Sequence, residues 1–149
     1  METDDDAISR IAFEHFSERG FRRFAYLGDS KFKWSKQRGQ AFGKRVKEAG
    51  LEFFEKNERT RGIEKEPDRK ALISWLSELP TPIGIFTCYD HLGRRVLEAC
   101  REAGLSVPEE VAVLGVDNDE LLCELATPPL SSVITNPRVA GYQAAAILD

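Results

Sequence analysis

Residues 83–88 (IGIFTC) and 111–116 (VAVLGV) form two short runs without a single charged side chain. A strand with one wet face alternates apolar and polar residues, so an unbroken apolar run marks a strand covered on both faces. Strands of that kind sit in the middle of a parallel sheet with helices on either side. The rest of the chain has to supply those helices.

It does so in alternation. Residues 7–18 place Ile8, Ile11, Ala12, His15 and Phe16 on one helical face, behind an acidic run at 4–6 and ahead of Gly20. Residues 24–27 read as a short buried strand that stops at Gly28 and Asp29. A helix is predicted over 35–49, with Ser35 as its N-cap and Gly50 closing it, then a strand over 51–54. The charged stretch 55–66 lacks any period and reads as a solvated surface loop. Helical spacing resumes over 68–79 through Leu72, Trp75 and Leu76, and Pro80 stops it. Asp90 reads as the cap of a helix from His91 to Ala103 that ends at Gly104. A Leu-rich turn at 120–125, a last strand at 131–134 and a helix from Val139 onward complete the pattern. The expected architecture is one α/β domain: a three-layer α/β/α sandwich around a mostly parallel sheet.

Charge and composition narrow the function classes. A chain of 149 residues holds one core without staples. Its net charge of -4 lacks the basic excess that a module gripping phosphates usually carries, so DNA binding by this chain alone is not expected. No apolar run approaches the roughly 20 residues of a membrane-spanning helix. Cys88, Cys100 and Cys123 are odd in number and lack metal or redox spacing, which reads as buried thiols in a reducing cytoplasm. With only His15 and His91 besides, no metal site and no cofactor are expected. The start, Met1-Glu2-Thr3-Asp4, is acidic where a secretory signal would be basic and apolar. Residues 144–149 read as a helix stopping without cap or breaker, so the expectation is a piece of a longer protein.

In an open parallel sheet, ligands bind beyond the carboxyl ends of the strands. There the chain places Gly28-Asp29, with Trp34 and Arg38 following, then Tyr89-Asp90, then Asp117-Asn118-Asp119. Sugar hydroxyls donate and accept at once, so Arg, Asn and Asp can bracket them while an aromatic face covers the C–H side of the ring. Each residue also has a plain structural reading. Asp90 could be only a helix cap and Arg38 only a solvated partner for a nearby acid. Asp117 could be a turn residue, and Trp34 could pack on the sheet edge. Enzyme classes lack their loops: GxGxxG, GxxxxGK[ST] and GxSxG are all missing. Asp90 and Asp117 have no companion nucleophile. A receiver domain would want an acidic pair after the first strand and a late lysine, yet no lysine follows Lys70.

Several segments then resemble one family in order along the chain. Residues 20–28 (GFRRFAYLG), 37–42 (QRGQAF), 104–117 (GLSVPEEVAVLGVD) and 129–133 (PLSSV) resemble the effector-binding domain of the lactose/galactose repressor family, which has the periplasmic-binding-protein-like fold. The pattern Trp34-x-x-x-Arg38-x-x-Ala41-Phe42, the stretch 116–121 and the stretch 141–145 are similar to the xylose operon regulators of that kind. The resemblance implies one lobe of a two-lobed, non-catalytic sensor, with a crossover near Asn136-Pro137 and a helix after it. D-xylose is the implied effector. DNA is reached only through a separate domain of a homodimeric, cytoplasmic parent. Arg38 matches the effector-binding arginine and Asp117 the sugar-binding aspartate. Tyr89-Asp90 stands where the family has Asn-Asp, so an amide is lost and Asp90 becomes the expected ligand. Trp34 would border the sugar, with Asn118 beside Asp117. Gly39 stands where the family has an apolar residue. The competing expectation is an exported sugar-binding component of an uptake system, which shares the lobe fold.

Overall fold

A computed structural model describes residues 4–59, 65–116, 131–136 and 144–148. Their elements follow in the order α1 (Asp4–Glu18), β1 (Arg23–Asp29), α2 (Lys33–Glu48), β2 (Glu52–Glu58), α3 (Glu66–Glu78), β3 (Ile83–Thr87), α4 (Asp90–Ala103), β4 (Val111–Val116), β5 (Ser131–Asn136) and β6 (Ala144–Leu148). One sheet holds all six strands in the order β2-β1-β3-β4-β5-β6. The first five run parallel and β6 is antiparallel to β5.

The two charge-free runs are the central strands β3 and β4, and every residue in both is buried. Helices α1 and α2 pack on each other, as do α3 and α4. The chain leaves β1 in one direction for β2 and returns across it to β3. Right-handed crossovers therefore put α2 on one face and α3 and α4 on the other. The three-layer sandwich holds. Its aromatic centre lies under α1 and α2, where Phe16, Phe24, Tyr26, Phe42 and Phe86 are fully buried. Phe42 meets Phe24, Phe86 and Phe53 at centroid distances of 6.1, 4.9 and 6.0 Å. Burying a ring of this kind contributes about 1.5–3 kcal/mol.

Four expectations need correction. β2 continues to Glu58 in register with β1, so part of the expected loop at 55–66 is strand. The backbone of β1 supplies the hydrogen bonds, and the charges of Glu52, Glu55 and Glu58 suit an edge strand. Ala144–Leu148 is a strand and not a helix. Alanine's helix preference amounts to tenths of a kcal/mol per residue, and the open edge of β5 outweighs it. The expected uncapped helix end therefore goes too. Ser35 does not cap α2, which starts at Lys33 behind an extended Phe32 with no side-chain cap. Asp90 likewise lies inside α4, whose N-cap is the extended Tyr89. The expected Leu-rich turn at 120–125 lies outside the described residues. So does Cys123, while Cys88 and Cys100 are buried and free.

Candidate functional site

With strand order 2-1-3-4-5, the direction of winding reverses between β1 and β3. Ligands of open α/β sheets bind in the crevice outside the carboxyl ends of the strands at such a point. The residues here are Asp29 at the end of β1, Cys88 and Tyr89 after β3, and the first turns of α2 and α4.

The start of α2 is tied to the end of β1 from beneath. The Tyr26 hydroxyl donates to the Ser35 carbonyl at 2.7 Å, and the Ser35 hydroxyl oxygen accepts the Asp29 backbone N–H at 2.9 Å. This commitment is why Ser35 is no cap. Tyr26 can lie flat against α2 only because residue 39 is glycine: a β-carbon there would stand 2.5 Å from Tyr26 Cε2. That accounts for a glycine where an apolar side chain was expected. Burial pushes the Tyr26 phenol above its ordinary range, and the Cys88 thiol up to about 12, with the Asp29 charge adding to it. Cys88 is thus a neutral thiol and no nucleophile.

One turn along α2, Arg38 enters the crevice and is only 8 % exposed. Its Nη1 donates to the Cys88 carbonyl at 2.7 Å and its Nε to Asp5 Oδ1 at 3.2 Å. The Trp34 ring lies 4.9 Å from the guanidinium carbon. These contacts fix the plane of the fork, while Nη2 makes no hydrogen bond among the described residues. A nearly buried guanidinium with donors to spare is costly unless something accepts from them.

Aromatic rings line the mouth beside it. Phe32 stacks on Trp34 at 5.1 Å, Trp34 meets Tyr89 edge-on at 6.3 Å, and Tyr89 stacks on His91 at 6.5 Å. Burial and then the Arg95 and Arg94 charges hold the His91 pKa below the usual imidazole value, which favours an uncharged ring. The Tyr89 hydroxyl donates to Asp29 Oδ2 at 2.9 Å, and the Lys31 N–H donates to Asp29 Oδ1 at 2.9 Å. Asp90 is 3 % exposed, and its Oδ1 accepts the Ser132 hydroxyl at 2.7 Å, tying α4 to β5.

Trp34, Arg38 and Tyr89 therefore meet in one crevice, with Asp90 next to it and turned toward β5. Asp117 and Asn118 lie outside the described residues. Two participants escape the reading of the sequence as site residues. The strand-end rule places Asp29 beside the crevice but assigns it no role, and Asp5 reads only as a capping anion. Chemically, the set offers a forked cation and apolar ring faces, held in place by the Asp5 and Asp29 carboxylates, which suits a neutral polyhydroxy ligand. Among the described residues no cluster of His, Cys, Asp or Glu could hold a metal ion. None of their helices is long and apolar enough to cross a membrane. A cavity of about 550 Å³ opens at the opposite end of the sheet, among Phe21, Leu97, Val107, Pro108, Ala112 and Ser131. It lies at the strand starts, away from these groups.

Comparison with known proteins gives the same picture. The model of the periplasmic binding protein-like domain matches residues 13–149. The xylose operon regulatory protein of Haemophilus influenzae is 35 % identical, over 98 % of this chain and 39 % of its own length. The protein of that name from Escherichia coli K12 is 36 % identical, over 98 % of this chain and 38 % of its own. Among solved structures, a xylose-binding transcription activator superposes with a TM-score of 0.81 at 32 % identity, covering 89 % of this chain and 36 % of that one. The chain thus spans about two fifths of the length of these relatives.

Proposed function

The chain belongs to the periplasmic binding protein-like domain family, and from that premise we propose that it is the sugar-sensing lobe of a transcriptional regulator whose effector is D-xylose. The observation that carries the reading is Arg38: a buried, stacked guanidinium at the β1/β3 switch point whose Nη2 donors are unspent among the described residues. The identity to xylose operon regulatory proteins supports the choice of sugar.

Arg38 donates to sugar hydroxyls, and Trp34 and Tyr89 cover the C–H face. Asp90, Asp117 and Asn118 complete the polar set. A second lobe of the longer protein closes over the same sugar. Binding the closed arrangement more tightly than the open one shifts the balance between them, and with it the DNA-binding part carried elsewhere in a cytoplasmic homodimer. The sugar leaves unchanged; the crevice is a sensor and does no catalysis.

Calorimetric titration of the full-length protein with D-xylose tests this, beside Arg38→Ala and Asp117→Ala. Each substitution leaves sugar hydroxyls facing a lost partner, so affinity falls at least about tenfold. Undiminished affinity in both variants removes the site assignment.

A further inference from the structure

We propose that Asp29 is a positioning residue that sets ligand specificity: by accepting the Tyr89 hydroxyl proton, it leaves Tyr89 able to offer a sugar only lone pairs. The inference rests on the sugar-binding reading above.

Asp29 is fully buried, so it does not itself meet a ligand. Each carboxylate oxygen has an assigned donor: Oδ1 takes the Lys31 N–H of the turn and Oδ2 the Tyr89 hydroxyl, both at 2.9 Å. A phenol holds its proton far more tightly than a carboxylic acid, so at neutral pH Tyr89 is the donor in this bond. A tyrosine hydroxyl has one proton to give. Once that proton is directed at Asp29, the oxygen can only accept from the crevice side. The same bond holds the half-buried ring against Trp34. It also spans the switch point, joining the end of β1 to the start of α4. A sugar hydroxyl opposite Tyr89 must therefore donate, where an amide in that place would take either partner.

Asp29→Asn is the informative change, being nearly isosteric. The Lys31 N–H still demands the one remaining oxygen, which turns the new NH₂ toward Tyr89. The hydroxyl then accepts from that introduced amide, and its own proton is released toward the ligand. The full-length protein is titrated with D-xylose and with its 2-, 3- and 4-deoxyfluoro analogues, since fluorine cannot donate. In the wild type, one analogue should bind at least about tenfold more weakly than xylose. That ratio should shrink several-fold in Asp29→Asn and in Tyr89→Phe, and Asp29→Asn/Tyr89→Phe should match Tyr89→Phe alone. Tyr89→Phe keeps the turn around Asp29 intact, so it reads the effect even if the asparagine variant folds poorly. A merely structural role for Asp29 would weaken all four sugars equally and leave the ratios unchanged, which overturns the inference. A wild type that tolerates every analogue overturns it as well. Failure of the wild type to bind xylose at all removes the sugar reading instead, and the inference with it.

Discussion

The carboxylate of Asp90 rests directly on the backbone of Gly115: a β-carbon on residue 115 would overlap Asp90 Oδ1 and stand 3.1 Å from Asp90 Cα. Gly115 is in the interior of β4, where a glycine weakens a strand and needs a reason. The reason is room for the Asp90 side chain to reach Ser132 on β5. Gly115→Ala should destabilise the chain by about 1–3 kcal/mol, the cost of overpacking a well-filled interior. Urea unfolding checks this. In an Asp90→Ala background the same change should cost clearly less, because the overlapping atom is gone.

Ser35→Ala should be nearly as damaging, although it removes a single oxygen. The Ser35 hydroxyl accepts the buried Asp29 N–H and lies 3.2 Å from the Tyr26 hydroxyl. An orphaned buried N–H costs about 1–3 kcal/mol. A surface serine at a helix start would cost only its capping energy and would respond well to Asp or Asn. Here Ser35→Asp should be worse than Ser35→Ala, because a second carboxylate would face Asp29 within a dry interior. Chemical denaturation of the three proteins ranks them.

How much could be read in advance depended on what local pattern records. β3 and β4 were legible because strands covered on both faces lack charge, and Gly104, left-handed at φ 75°, ends α4 as expected. The second half of β2 was not, since Glu55, Lys56 and Glu58 owe their conformation to the neighbouring backbone of β1. Residues 144–148 misled because alanine favours helix while the edge of β5 selects strand. At the site, the strand-end rule found Trp34, Arg38 and Tyr89 together. The bonds from Tyr89 to Asp29 and from Arg38 to Asp5 join residues 60 and 33 positions apart. The first depends on β1 and β3 being neighbours and the second on α1 packing against α2, and no local spacing encodes either arrangement.

Stability should decline in mild alkali for an identifiable reason. Burial pushes the Cys88 and Cys100 thiols up to about 12, with the Asp29 and Glu110 charges adding respectively. An unfolded thiol ionises near 8.5. Between those values the unfolded chain releases protons that the folded chain keeps, so stability is intact below about pH 8.5 and falls as pH rises toward 12. Each thiol then contributes a slope of at most about 1.4 kcal/mol per pH unit. The Cys88→Ala/Cys100→Ala variant should show a flatter decline in urea midpoints between pH 8 and 11, even if it starts less stable. Equal slopes would mean that neither thiol is held neutral.

Arg38→Lys separates charge from geometry. Lysine keeps the positive charge near Asp5 but has no planar fork. It cannot hold the Cys88 carbonyl and the Asp5 carboxylate, lie over Trp34 and still present donors to a ligand, all of which the guanidinium can do in one plane. Losing a charge-assisted hydrogen bond costs about 1.5–3 kcal/mol, or roughly ten- to a hundredfold in affinity. Calorimetry of the full-length variant with D-xylose should show a loss in that range. Circular dichroism should meanwhile show an unchanged fold, since both of the arginine's anchoring acceptors can still pair with an ammonium. A loss of less than about twofold would mean that the crevice needs only a cation at this position, and the fork would have no part in selecting the sugar.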